Sequence, residues 1–166
     1  MSNTVRQQEL SLDREFKSKI FRDFLVQQSA RSDAYSAFAK EIKRRSEHVG
    51  KKDHPDEIER LRALEQEIDQ RRGAIDRARA LVWESISAIQ MLGSKDVLVA
   101  ARKYDKAISA NNPMRQAPQH LEFAAKRDLI FDFQKAARRE LGLPEIFRDD
   151  MFWKEQAELV GDQQES

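Results

Sequence analysis

The chain has 166 residues, of which 36% are charged, 40% are hydrophobic and 8% are aromatic. Its zero cysteines exclude disulfide bonds, cysteine metal sites and a thiol nucleophile, and its net charge of +1 gives no overall preference for acidic or basic partners. With only five glycines and four prolines, the chain is predicted to be one all-α domain that is large enough to bury a core.

The first eleven residues, MSNTVRQQELS, lack the basic and then apolar segments of a secretion signal. No apolar run approaches the roughly 20 residues that a membrane-spanning helix needs. We therefore expect a cytoplasmic protein without membrane contact.

The first predicted helix begins between Thr4 and Ser11, and Ser11 is a candidate N-cap ahead of Asp13 and Glu15. Large apolar residues then recur along one face. They are Phe16, Ile20, Phe24, Tyr35, Phe38 and Ile42. Beyond Ala39 the sequence becomes KEIKRRSEH, so this helix is apolar in its early part and polar in its late part.

The second predicted helix, residues 58–92, carries an apolar residue at every seventh position. The seam consists of Leu61, Ile68, Ile75, Val82 and Ile89. Residues 56–77 are mostly charged away from the seam, which is typical of a solvated helix with one buried face. Residues 78–92, ARALVWESISAIQML, are apolar around most of the helix, which predicts neighbours on several sides.

The opposite polarity gradients of these two helices predict an antiparallel pair. Their apolar halves would enter a multi-helix body, and their polar halves would form a protruding two-helix coiled-coil arm over about residues 38–75. The connection lies within residues 48–55, where Gly50 is suited to end the first helix and Asp53 to cap the second. Pro55 is tolerated in the first turn of the second helix.

The tip of this arm is the most basic surface that the sequence predicts. It carries Lys43, Arg44, Arg45, Lys51 and Lys52. Such a cluster suits the phosphates of a nucleic acid. Glu41, Glu47 and Asp53 interrupt it, and no nearby aromatic side chain is available for base stacking, so a solvated hairpin end is the favoured interpretation.

Gly93 and Ser94 are predicted to end the second helix and to cap the third, residues 95–110. Four residues of the third helix share one apolar face: Val97, Ala101, Tyr104 and Ile108. The sequence Asn-Asn-Pro at 111–113 is a strong turn signal that ends this helix.

A fourth helix is predicted to follow the loop that closes at Pro118 and to run to Leu141, where Gly142 and Pro144 stop it. Its apolar face would carry Leu121, Ala125, Leu129, Phe133 and Ala136. The predicted body, residues 1–144, is thus an antiparallel bundle of about four helices with the protruding arm.

Residues 145–166 are predicted to form an acidic tail with a short amphipathic helix at about residues 150–160. From Asp149 onward there are six acidic residues against Lys154 alone, so the tail carries a charge near −5 and the remainder near +6. Its large apolar residues are Phe147, Met151, Phe152 and Trp153. Residues 151–153 cannot all face one side of a helix, so the tail either docks on the body or fits a groove of a partner.

The sequence shows none of the motifs that would indicate a metal, a cofactor or catalysis. A di-iron bundle site needs a glutamate three residues before a histidine on each of two helices, and none of the three histidines has one. The sequence GSK at 93–95 lacks the upstream glycine and the preceding strand of a phosphate-binding loop. We therefore predict no metal, no cofactor and no enzymatic activity.

Two segments resemble a pattern found in short, uncharacterised bacterial helical proteins. These are Gly93-Ser94-x-x-Val97-x-x-Ala100-Ala101-x-x-Tyr104 and, later, Ala137-Arg138-Arg139-Glu140-Leu141-Gly142. The resemblance implies a bacterial origin and an antiparallel bundle. It implies no activity, cofactor or site residue.

The sequence as a whole predicts a non-enzymatic accessory or regulatory protein that binds another protein through the arm, the acidic tail or a self-associated face of the bundle. A homo-oligomer is therefore one expected form. Nucleic-acid binding at the arm tip is the alternative, and an enzyme without a recognisable motif comes third. The candidate partner-binding residues are Lys43, Arg44, Arg45, Lys51, Lys52, Phe147, Met151, Phe152 and Trp153.

Overall fold

The computed structural model describes residues 3–49 and 55–145, which form four α-helices. The helices are α1 (Asn3–Val49), α2 (Pro55–Leu92), α3 (Lys95–Ala110) and α4 (Phe123–Glu140). The described part of the chain contains no strand, so the all-α prediction is confirmed. No helix in these two ranges has a segment long and apolar enough to span a membrane.

Polar contacts between the helices show that they alternate in direction. Near the start of α4, Lys126 Nζ lies 2.8 Å from Ser32 Oγ, whereas at its end Glu140 pairs with Lys17 at 3.4 Å, so α4 is antiparallel to α1. Ser94, just before α3, donates its backbone N–H to Glu140 at 2.7 Å. The end of α4 therefore lies beside the start of α3, and the bundle runs up, down, up, down.

One hydrophobic core joins all four helices. Phe24 on α1 is fully buried, and its ring centroid lies 4.7 Å from that of Phe133 on α4 and 6.0 Å from that of Tyr104 on α3. Four of the five predicted seam residues of α2 are buried, and Leu61 is half-buried. All four predicted face residues of α3 are buried as well. The opposed polarity gradients of α1 and α2 therefore led to the correct antiparallel bundle.

The end of α1 and the start of α2 form a two-helix projection. With about 1.5 Å per residue, α1 and α2 are roughly 70 and 57 Å long, whereas α3 and α4 are only about 24 and 27 Å long. Within the projection, Arg45 pairs with Glu65 at 3.4 Å, and His48 Nδ1 lies 3.1 Å from Glu57. Its coiled-coil character and its limits of 38–75 stay predictions, and Gly50 and Asp53 lie outside the described residues.

Helix α1 begins earlier than the sequence predicted. It starts at Asn3, so Ser11 lies inside the helix and is not an N-cap; the segment before Ser11 contains no glycine or proline to break a helix. Phe16 and Ile42 belong to the predicted apolar face, but both are exposed. The reason is that α1, with 47 residues, is longer than the other helices. Near each end of α1, fewer helices therefore pack against this face.

Helix α4 begins later than the sequence predicted. It starts at Phe123, and residues 111–122 form turns and an irregular segment. The N–H of Gln119 donates to the carbonyl of Ala110 at 2.8 Å, which holds this loop against the end of α3. Leu121 consequently packs against the core from the loop rather than from a helix, and Ala125 is exposed.

The ends of α3 and α4 are formed by the residues that the sequence indicated. Ser94 caps α3 by accepting a hydrogen bond from the N–H of Val97. At the end of α4, Gly142 has a φ of +67° and donates to Arg139 O, while Leu143 donates to Arg138 O at 2.9 Å. This pair of bonds is the Schellman arrangement, in which glycine tolerates the left-handed conformation. It turns the chain sharply away from the axis of α4.

Two glycines of this chain should respond to alanine in opposite directions. Gly73 lies inside α2, where an added Cβ would contact only the end of the Arg77 side chain at 3.4 Å; we expect G73A to stabilise the protein by about 0.5–1 kcal/mol through helix propensity. At Gly93 the Cβ would lie 2.8 Å from Ile89 O, so G93A should cost about 1–3 kcal/mol through overpacking. Urea unfolding of both variants checks this, and a stabilised G93A would contradict the geometry of the α2–α3 turn.

Candidate interaction surface

The second half of α2 has one buried side and one open side. Ala78, Val82 and Ile89 are buried against the bundle. Ile86 is half-buried, and the other large apolar residues of the same stretch are exposed: Leu81, Trp83, Met91 and Leu92. The prediction that residues 78–92 are covered on several sides is therefore wrong for the described part of the chain. Within it, α2 packs mainly on α1 and less extensively on α3, which leaves its outer face open.

The open side of α2 carries a strip of residues on one helix face, which we call the Trp83 strip. It comprises Ala80, Trp83, Ser87 and Met91, whose spacings of three and four residues place them on one helix face. The two large side chains are 72% and 83% exposed and lie about 12 Å apart along the helix axis. A tryptophan exposed to this degree, with a second exposed apolar side chain about two turns further along the same face, is typical of a binding surface rather than of a solvated helix face.

A cleft of about 360 Å³ adjoins this strip, between α1, α2 and α3. Trp83 and Ile86 provide apolar lining from α2, and Asp76 and Arg79 provide charges of opposite sign. The cleft therefore combines an apolar wall with groups that can donate and accept hydrogen bonds, as binding pockets commonly do.

The back of the cleft is held by a buried polar network around Arg31. Its guanidinium donates to Asp105 Oδ1 at 2.7 Å, to the hydroxyl of Tyr35 at 3.1 Å and to Ser109 Oγ. Gln28 adds a further hydrogen bond to the same Asp105 oxygen at 3.1 Å. These contacts tie α1 to α3, so the wall behind the Trp83 strip is preorganised.

The ionisable groups of the cleft lining are Arg31, Asp76, Arg79 and Asp105. Arg31 and Asp105 neutralise each other, and the described lining contains no histidine or lysine. Burial raises the pKa of the Tyr104 hydroxyl above its usual range, so this phenol stays protonated and is not a base near neutral pH. Among residues 3–49 and 55–145, no three histidine or acidic side chains come together in a way that would hold a metal ion.

The predicted basic cluster at the arm tip is only partly described. Lys43, Arg44 and Arg45 are exposed at the end of α1, as predicted. Arg44 pairs with Glu41 at 3.3 Å, and Arg45 pairs with Glu65, so carboxylates offset part of the positive charge. The other predicted partner-binding residues lie outside the described residues: Lys51, Lys52, Phe147, Met151, Phe152 and Trp153.

Trp83 and Met91 are the candidate site residues that the sequence analysis did not single out. A signal was present: with Ile75, Val82 and Ile89 assigned to the seam, both residues fall away from the buried side. The apolar composition of residues 78–92 masked this signal, because it favoured burial on every side.

The described residues 3–49 and 55–145 define a class: an all-α, four-helix, up-down-up-down bundle with an open strip of exposed apolar residues on its second helix. Comparison with protein-family models, with curated proteins and with solved structures finds no match for the chain.

Proposed function

We propose that this chain is a non-enzymatic accessory or regulatory protein that acts by binding another protein, and that the Trp83 strip with its adjoining cleft is the contact surface. The single observation that carries the proposal is the exposure of Trp83 beside a preformed cleft. Tryptophan is among the residues most enriched at the energetic centres of interfaces. The rigid Arg31 network behind it would lower the entropic cost of binding.

The partner that fits this surface presents an apolar side chain flanked by polar groups. Trp83 and Met91 would pack on the apolar part, while Asp76 and Arg79 would pair with groups around it. A second copy of this chain is one such partner, which keeps the predicted homo-oligomer within the proposal. The bacterial origin and the roles of the arm tip and the tail stay predictions.

The substitution W83A tests this proposal. We expect it to weaken partner binding by about 2 kcal/mol or more, which is roughly a 30-fold loss of affinity, with unchanged helicity and thermal stability. The measurement is co-purification of the tagged full-length chain with its partners from the cells that express it, followed by titration of the recovered partner. Sedimentation equilibrium of the purified chain measures self-association in the same variants.

F123A is the matched control, because Phe123 is another highly exposed aromatic residue but lies at the start of α4. It should leave co-purification and self-association unchanged. Equal binding by the wild-type chain and W83A would exclude the Trp83 strip as the contact surface.

A further inference from the structure

A second apolar surface lies at the opposite end of the body from the arm. It is a groove of about 650 Å³ between α1 and the segment that follows α4, and we call it the N-terminal groove. Leu12 and Phe16, one helical turn apart on α1, form one wall; they are 65% and 56% exposed. Leu141 and Leu143 form the other wall. Two large apolar residues that are this exposed on one helix face indicate a surface that another segment or molecule packs against.

The rim of this groove is predominantly positive. Arg14, Lys19 and Arg22 line it together with one carboxylate, that of Glu15, so its net charge is about +2 near neutral pH. The ligand that suits this groove is therefore apolar on one side and acidic on the other.

The backbone after α4 leads directly out of this groove. The Schellman turn at Gly142 directs Leu143 into the groove wall, and Arg138 Nε holds the carbonyl of Pro144 at 2.8 Å. Glu145, the last described residue, pairs with Arg139 at 3.6 Å. The chain thus leaves the body only two residues beyond Leu143, still beside the groove.

The sequence that follows combines large apolar residues with a net negative charge, which matches the apolar walls and the positive rim of the groove. Residues 146–160 carry four acidic residues against two basic ones, a net charge of about −2, together with the large apolar residues Phe147, Met151, Phe152 and Trp153. At about 3.3–3.6 Å per extended residue, Phe147 has a reach of about 14 Å from Leu143, and residues 151–153 reach further. A tether this short gives the segment an effective concentration of the order of millimolar, which favours it over a free competitor.

We propose that the N-terminal groove is the docking site of the chain's own residues 146–160. The aromatic side chains of the segment cover Leu12 and Phe16, and its carboxylates face Arg14, Lys19 and Arg22. This inference is independent of the proposed partner binding at the Trp83 strip, because the two surfaces share no residue. Of the two predictions for the tail, the proposal adopts docking on the body.

Tryptophan fluorescence offers a direct test, because the chain has only two tryptophans. In a full-length W83F background, Trp153 is the sole tryptophan and reports on its own surroundings. We expect an emission maximum at shorter wavelength than that of a free peptide 145–166, and protection from acrylamide quenching that does not depend on protein concentration. Adding L12D and F16D should shift the emission to that of the free peptide and raise the quenching constant several-fold.

The control is M114D, an exposed position in the loop that follows α3 at the other end of the body, which should leave the fluorescence unchanged. Emission identical to that of the free peptide in the W83F chain would overturn the proposal. Loss of protection on dilution would also overturn it, because it would identify the occupant as a second copy.

Photocrosslinking keeps the test decisive if L12D and F16D disturb α1. With benzoylphenylalanine in place of Trp153 in the otherwise native chain, illumination should give a monomeric product crosslinked to the α1 peptide that contains residues 12–22. A crosslink to the Trp83 strip, a covalent dimer, or no crosslink at all would each contradict docking in the N-terminal groove.

Discussion

Replacing Phe24 with alanine is expected to lower the free energy of unfolding by about 3–5 kcal/mol. Phe24 is fully buried, and its ring packs on Tyr104 of α3 and on Phe133 of α4, so the loss affects three helices at once. For a domain of this size, each kcal/mol corresponds to roughly 2–4 °C, so the melting temperature should fall by about 6–20 °C. Urea unfolding followed by circular dichroism gives the free energy directly.

The same change at Phe123 provides the control for this prediction. Phe123 is also a helical phenylalanine, but its side chain is mostly exposed, and F123A should change the free energy of unfolding by no more than about 0.5 kcal/mol. Equal effects of F24A and F123A would mean that α1, α3 and α4 do not share the core that joins them in this structure.

The core was predictable from the sequence because its signal is local. Ile68, Ile75, Val82 and Ile89 are buried because a seven-residue spacing places them on one side of α2, and this spacing is visible without any knowledge of the partner. The antiparallel pairing was predictable for a related reason: the polarity gradients of α1 and α2 match only when the two helices run in opposite directions.

The exposure of Phe16 and Ile42 was not predictable, because burial also depends on the lengths of neighbouring helices. Both residues lie in register with the buried face of α1, but α1 has 47 residues while α3 and α4 have 16 and 18. The candidate site shows the same limit. Trp83 lies in an apolar stretch, and it is exposed because few of the described helices pack against α2. The spacing of apolar residues within one helix does not reveal how many other helices will pack against it.

The network behind the cleft was beyond sequence reasoning for a different reason. Arg31 and Asp105 are separated by 74 positions and lie on different helices. On its own helix each is an ordinary charged residue, and only the parallel alignment of α1 and α3 brings them within 2.7 Å. This buried polar link therefore depends on the tertiary arrangement.

This link is expected to give unequal single-mutant effects. D105A should cost about 3–5 kcal/mol, because it leaves the guanidinium of Arg31 buried, with a side chain only 5% exposed, and without a counter-charge. R31M should cost less, about 2–3 kcal/mol, because the Asp105 side chain is 29% exposed and water can replace part of its lost hydrogen bonding. Urea unfolding of both variants measures the difference.

The double variant R31M/D105A separates the pair itself from the cost of leaving one charge alone. It should be more stable than the sum of the single effects implies, by about 1–3 kcal/mol, because no buried charge then lacks a partner. The exposed pair Arg45–Glu65 is the matched control, and R45A should change stability by less than about 1 kcal/mol. Strict additivity of R31M and D105A would show that the two side chains are solvated separately, and the cleft beside Trp83 would then lack the rigid wall on which its binding role depends.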